Sequence, residues 1–382
     1  AQGPRSHAIP SLSRPDAMPE KMSPEEVQEW QEGIEDEDDD EALEHLKTWL
    51  LPKTEGFFQA PSGHRLHVRA VLPPNDPQAL GVKAVVLYCH GMNSHVNARC
   101  WAAGLFPQIA AEGFAVFALD IHGHGYSEGT RSLIEDWETV FTDWEEFIEA
   151  LMGVADPMPS RRKFGAGVPE EVLARLRSLP VFVMGTSMGG MIGMYVGLRL
   201  QENERLQDRF RGAVLCCPAL TVDLPPKAVQ FLLRNLVVPL VRTKQMPSFM
   251  SSSSTLKMNW AYDLSDPKQR EIAEMEIRDC AARFPEQGLG WHEGMRWGTA
   301  GAFSKVYSEL DEDMEEVSYP FLLIHDLGDQ VCFFSGSQRL MEKCASKDKT
   351  LQAAEAHGLH TVPMVILDNF VASATSWMRQ RL

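Results

Sequence analysis

The sequence predicts an α/β fold: a mostly parallel central sheet with helices on both faces and a helical cap. Three observations carry this. Short, nearly continuous apolar runs recur from Phe57 onward, which is how strands read when helices cover both faces of a parallel sheet. Segments with apolar residues at steps of three and four separate those runs, and strand–helix alternation of this kind defines the class. One long stretch, Thr221 to Val317, breaks the alternation without a convincing strand. A helical excursion between two sheet strands is expected to lie over the sheet's carboxyl edge, where such sheets bind ligands.

Along the chain, residues 1–55 hold prolines and an acidic run, Glu32 to Glu41. Like charges repel at that density, so a mobile, solvated arm is expected, with a short helix at Glu41 to Leu50. Leu66 to Leu72 alternates with period two, as a half-buried strand does. Val82 to Cys89, Phe114 to Leu119, Pro180 to Met184, Gly212 to Cys217 and Pro320 to Ile324 read as buried strands, and Thr350 to Ala354 as a short strand-like segment. Leu133, Trp137, Phe141, Trp144, Ile148 and Leu151 fall on one helix face, so these tryptophans belong to a core rather than a ligand cage. Asp156 to Ser178 is polar, carries Arg161-Arg162-Lys163, and reads as a surface excursion. Within Thr221 to Val317 come an apolar helix (Lys227 to Val241), a serine run (Ser251 to Ser254) and a helix opening at Asp266-Pro267. The expected division is an acidic arm over 1–55, a first core part over 56–220, a cap over 221–318 and a second core part over 319–382.

Composition excludes several functions. The 382 residues, 44% hydrophobic and 23% charged, are those of a globular protein. With 53 acidic residues against 36 basic ones the net charge is −17, which argues against a general nucleic-acid binder. No apolar run reaches the roughly 18 residues of a membrane span; Phe231 to Val241 is interrupted by Arg234, Asn235 and Pro239. Seven cysteines form no CxxC pair and no zinc-type spacing, and several sit in strand-like runs. Buried free thiols in a reducing, intracellular compartment are expected, and Ala1 to Pro19 has no apolar core of the secretory-signal kind.

The chemistry is concentrated at strand ends. Gly185-Thr-Ser187-Met-Gly189 follows one apolar strand and opens a Gly-rich helix. A serine in such a turn occupies a strained elbow, with small residues two before and two after it, and the amide of Met188 points where an oxyanion would form. A serine nucleophile needs an orienting acid and a base, in the chain order Ser, Asp or Glu, His. His325-Asp-Leu-Gly-Asp329 follows the strand ending at Ile324, and Asp329 has more loop reach than its rival Asp326. Downstream stand His357 and His360, either of which can serve as base. His90-Gly-Met92 ends another strand and can present the Met92 amide to the same oxyanion. A zinc site from His90, His95, His122 and His124 lacks the paired helical spacing of metal-hydrolase histidines. The glycines of Asp120-Ile-His-Gly-His-Gly125 lack the third glycine of a dinucleotide loop and read as a tight turn under the site.

From Phe57 to the C-terminus these residues resemble the monoacylglycerol lipase and lysophospholipase group of α/β-hydrolases, especially the plant branch that includes caffeoylshikimate esterase. The resemblance rests on His90 to Met92, Asp120 to Gly129, Gly185 to Gly190, Arg296 to Thr299, Pro320 to Val331 and Leu340 to Leu351. It implies the α/β-hydrolase fold, with Ser187 as nucleophile, Asp329 as acid, a histidine near 360 as base, and Met92 and Met188 as oxyanion amides. Thr361-Val362 matches the family's small polar and apolar pair after the base and favours His360. Asp326 stands where the family has Gly, and the spacing from Gly358 to His360 is one residue short of the family's.

The expected activity is hydrolysis of carboxylic esters of amphipathic acyl lipids through an acyl-enzyme, with no cofactor and no metal. The alternatives are a phenolic-ester esterase, an acyltransferase on the same residues, or a non-catalytic hydrolase-like binder. The apolar helix Lys227 to Val241 is expected to line an acyl channel or touch a membrane; the plainer reading is packing against the sheet. A cytoplasmic or peripherally membrane-associated protein is expected.

Overall fold

A computed structural model describes residues 55–154, 167–221, 226–247, 262–281, 295–354 and 359–382. The acidic arm with its helix at 41–50, the Arg161-Arg162-Lys163 run, the serine run and His357 lie outside the described residues.

Eight strands form one sheet in the order β1-β2-β4-β3-β5-β6-β7-β8. They are β1 (Glu55–Gln59), β2 (Arg65–Val71), β3 (Ala84–Cys89), β4 (Phe114–Leu119), β5 (Val181–Thr186), β6 (Phe210–Cys216), β7 (Phe321–Asp326) and β8 (Lys349–Ala354). β1 and β2 pair antiparallel, β2 also runs antiparallel to β4, and every other pairing is parallel. The helices are α1 (Phe106–Ala111), α2 (Trp137–Leu151), α3 (Glu170–Leu176), α4 (Met188–Glu202), α5 (Lys227–Leu232), α6 (Val238–Val241), α7 (Pro267–Ala281), α8 (Trp297–Glu316), α9 (Phe334–Lys343), α10 (Val362–Val365) and α11 (Leu367–Arg379).

Strand periodicity divides the core. Val85, Leu87 and Val183 point to one face, where they pack with Trp144 and Phe147 of α2 and Ile192 of α4. Val86, Tyr88 and Phe182 point to the other, against Phe106 of α1 and Phe370 and Trp377 of α11. β3, β4 and β5 are buried on both faces with apolar residues nearly throughout, which is why they read as continuous apolar runs. β2, read as half-buried from its alternation, is buried on both faces as well, with His67 and Arg69 inside. Asp136 caps α2 by accepting from the Glu138 amide. Trp144 is fully buried, as expected of a core residue.

One segment differs from expectation, and a second departs from the plainer of its two readings. The polar stretch Asp156 to Ser178 is not all surface: its described end contains α3, which buries Val172, Leu173 and Leu176 against the α2 side of the sheet. Apolar residues one and four apart are enough for one helical stripe, and the arginines around them hid it. Lys227 to Val241 does not pack on the sheet. It runs as α5, a π-helical stretch Leu233–Val237 ahead of Pro239, and α6, lying against α8, where a Cβ on Gly301 would come 3.0 Å from Val238. Phe231, Leu232, Leu236 and Leu240 face outward, Leu240 with 85% of its surface exposed. Among the described residues no helix is long and apolar enough to cross a membrane.

Candidate active site

Parallel strands β3, β5, β6 and β7 all end at one edge, and the chemistry-bearing residues lie there. Ser187 follows β5 directly with φ 59 and ψ −124. That backbone is costly for a non-glycine residue, by about 1–3 kcal/mol, and persists only where its surroundings hold it. Here the Ser187 amide donates to the Cys216 carbonyl (3.0 Å), and the Ser187 carbonyl accepts from the Ala219 and Gly190 amides (2.9 Å each). The flanking glycines permit the turn: a Cβ on Gly185 would sit 2.1 Å from the Gly189 carbonyl, and one on Gly189 would sit 1.9 Å from that of Cys89. Met188 is the first residue of α4, so its amide has no acceptor within the helix.

The turn after β3 abuts this elbow, since a Cβ on Gly91 would lie 3.5 Å from both Ser187 Cβ and the Thr186 carbonyl. His90 holds the turn: its Nδ1 donates to the Gly91 carbonyl (2.8 Å), and its Nε2 accepts from the Ile121 amide (3.2 Å). Those bonds require the neutral imidazole, and burial lowers the His90 pKa accordingly. Met92 is half-buried and is followed by Asn93 at φ 60. Of the five described non-glycine residues with positive φ, four (Asn93, Ser132, Ser187 and Cys217) lie in the turns and loops around this edge.

Asp329 lies in the loop beyond β7, fully enclosed. Its Oδ1 accepts from the Val331 and Cys332 amides (2.8 and 3.0 Å), and its Oδ2 accepts from His360 Nδ1 (2.7 Å). Buried His325 stands 3.3 Å from the same oxygen through Nε2, which also donates to the Cys332 carbonyl (2.9 Å), while its Nδ1 meets Ser337 Oγ at 2.7 Å. Burial alone would push the Asp329 carboxyl up; the His360 ring and the hydrogen bonds from His325 and His360 outweigh that and hold it well below the usual carboxylate range. An ionised Asp329 fixes the His360 proton on Nδ1 and leaves Nε2 as the basic nitrogen. Asp326 ends β7 and its Oδ1 accepts from the Gly328 amide (2.8 Å), so it shapes the turn that carries Asp329.

The sequence did not single out Cys332 or Cys217 for a place at this edge. Cys332 Sγ is 3.9 Å from Ser187 Oγ, and burial raises its thiol pKa, so a neutral, apolar wall meets the serine. Its position three residues after Asp329 was the available signal. Cys217, Asp329 and His360 offer ligand atoms within 4.8 Å of one another, the one such trio among the described residues. Burial, then Cys216 and Asp329, keep the Cys217 thiol protonated, and Asp329 and His360 already bond each other. The trio therefore reads as a thiol packed on an acid–imidazole pair. His90 of the considered zinc set has both ring nitrogens engaged, leaving no lone pair for a metal.

Over residues 81–363 the chain matches the family described as serine aminopeptidase, S33. Monoglyceride lipase of Homo sapiens is 26% identical over 330 residues, spanning 84% of this chain and 88% of its own length. Caffeoylshikimate esterase of Arabidopsis thaliana is 24% identical over 319 residues, spanning 82% of this chain and 80% of its own. Among solved structures, a soluble variant of monoglyceride lipase from Saccharomyces cerevisiae in complex with a substrate analog aligns with a TM-score of 0.59 at 16% identity, over 85% of this chain and 94% of that one, a likeness of fold.

Proposed function

Since the chain belongs to the serine aminopeptidase S33 family, with the α/β-hydrolase fold and the ester-hydrolase chemistry of its relatives, we propose that it cleaves acyl-lipid esters, monoacylglycerols or lysophospholipids, through an acyl-enzyme on Ser187. His360 Nε2 takes the Ser187 proton as Oγ attacks the ester carbonyl, then returns it to the departing alcohol. Asp329 keeps the imidazole in that tautomer. The amides of Met92 and Met188 stabilise the oxyanion. Water, activated by His360, then cleaves the acyl-enzyme and restores Ser187. The observation that supports this most is the 2.7 Å bond between His360 and a buried, ionised Asp329, at the edge that also carries the strained Ser187 elbow.

The acyl-lipid assignment draws support from the outward stripe Leu232, Leu236 and Leu240 with Phe231 beside it. Residues four apart share a helix face, and an exposed apolar face of this kind suits a lipid surface. The residues 221–318 act as a cap in this reading, and the stripe provides peripheral contact with a membrane. The test is a panel of acylglycerols, lysophospholipids and phenolic esters, with Ser187→Ala as control. Turnover of acyl lipids that Ser187→Ala abolishes is expected. Preference for phenolic esters, or acyl transfer to an added alcohol, would move the assignment to those chemistries. No turnover of any ester would leave a binding protein.

A further inference from the structure

The excursion between β6 and β7 is joined to the turn after β3 by a buried polar chain. Thr299, in the first turn of α8, donates through Oγ1 to the Ser132 carbonyl (2.7 Å) and accepts from the Ile134 amide (2.9 Å). Ser132 Oγ in turn donates to Asn93 Oδ1 (2.8 Å). Ser132 and Thr299 are completely buried and Asn93 nearly so. Both members of the last bond have left-handed backbones, φ 57 at Ser132 and φ 60 at Asn93. Such a conformation is unfavourable for Ser132 unless fixed from outside, while asparagine adopts it more readily. The loop 130–134 is also clamped mechanically: a Cβ on Gly298 would come 2.6 Å from Leu133 Cδ1, and Arg296 donates to the Arg131 carbonyl.

We propose that Ser132 is a positioning residue for the reaction: it holds Asn93, and so sets the direction of the neighbouring Met92 amide, while Thr299 makes that setting depend on how the excursion is seated. The inference rests on the reading of Met92 as an oxyanion donor. An oxyanion donor acts only if aimed at where charge develops, so a slackened turn lowers the rate of the chemical step more than ground-state binding. Asn93 suits the position because its side chain accepts from Ser132 while its backbone tolerates the left-handed region.

The test uses a short activated ester, with kcat referred to sites titrated by a fluorophosphonate so that misfolded protein is not counted. Removal of an oxyanion donor outright costs about 10²–10³ in kcat; a misaimed one is expected to cost about tenfold. Ser132→Ala, Ser132→Gly (which also relaxes the backbone) and Asn93→Gly should each lower kcat by about that factor, with KM changed less than twofold. The double variant Ser132→Ala/Asn93→Gly should lose no more than the worse single one, because both remove the same bond. Thr299→Val should lower kcat by about threefold, and Thr299→Ser should restore it. Wild-type kcat in titrated Ser132→Ala and Ser132→Gly, or losses that multiply in the double variant, would overturn the positioning role. Wild-type protein left unlabelled at Ser187 would overturn the catalytic reading as well, so the two failures are distinguishable.

Discussion

Two buried Asp–His pairs lie near the same edge of the sheet and are built almost alike. Asp329 takes two amides on Oδ1 and His360 on Oδ2. Asp120 takes the Val96 amide on Oδ1 (2.7 Å), and the Tyr126 amide (3.2 Å) and His67 Nδ1 (2.8 Å) on Oδ2. In both, burial would raise the carboxyl and neighbouring histidines outweigh it, holding the acid well below the usual range. What separates them is what each one orients. His67 is a strand residue of β2, in the antiparallel margin of the sheet, and Asp120 ties β2 to the loops at Val96 and Tyr126. His360 stands just before α10, bonded to Asp329 of the loop beyond β7. A buried acid–imidazole pair with a depressed acid is thus not a catalytic signature by itself; its place relative to a nucleophile decides.

Exchanging each acid for its amide sharpens the difference. Asp329→Asn is expected to cut kcat by about ten-thousandfold through the wrong imidazole tautomer, with a stability loss like that at Asp120, since both acids are buried with depressed values. Asp120→Asn should cost about 3 kcal/mol of stability as a buried pair loses its charge, with at most a tenfold loss of kcat. Asp326→Asn should keep most activity. Paired kinetics and calorimetry read both axes; equal kinetic losses at Asp120 and Asp329 would erase the distinction.

Acid should act on the scaffold first. Burial lowers His95 and His122 to a pKa of about 4 and His124 to about 3. The unfolded chain, with histidines near 6.5, therefore binds more protons between about pH 6.5 and 4, and stability falls as pH drops through that window. Asp120 and Asp329 have depressed values, so their contribution is intact above the unfolded carboxylate pKa and fades only below about pH 4. His95→Phe should flatten the thermal midpoint between pH 6.5 and 4; an unchanged slope would remove this histidine as the cause.

The smallest effect concerns the outward helix, against the buried α2. Phe231→Ser/Leu240→Ser should leave the thermal midpoint within about 2 °C and turnover of short soluble esters unchanged, since neither side chain is in the core. Binding to zwitterionic vesicles, followed by flotation, should weaken severalfold. Equal flotation of variant and wild type would detach this face from lipid.

Most of the sheet was legible in the sequence because a strand buried on both faces leaves an apolar run that needs no partner to be recognised. β1 was not, because Glu55-Gly-Phe-Phe-Gln59 is an edge strand with neither an apolar run nor alternation. The placement of Ser187 and Asp329 beyond strand ends was legible because the elbow and loop patterns are local, and the structure brings Asp329 and His360 to 2.7 Å; their roles in a reaction belong to the proposed function. The places of Cys332 and Ser132 were not legible: Cys332 meets a serine 145 residues away, and Ser132 is joined to Asn93 and Thr299 across 39 and 167 residues. Contacts between loops carry no local period. The outward face of Lys227 to Val241 was undecidable for the same reason, because an apolar helix has the same sequence whether it faces a core or a membrane.

Site-resolved fluorophosphonate labelling, read by peptide mass spectrometry on the wild type and on the Asp329→Asn and Asp120→Asn variants, tests the central assignment most directly. Label on Ser187 alone is expected, formed at least a hundredfold more slowly in Asp329→Asn and at nearly the wild-type rate in folded Asp120→Asn. Label on another residue, or equal slowing in the two variants, would contradict Ser187 as the nucleophile activated through Asp329 and His360.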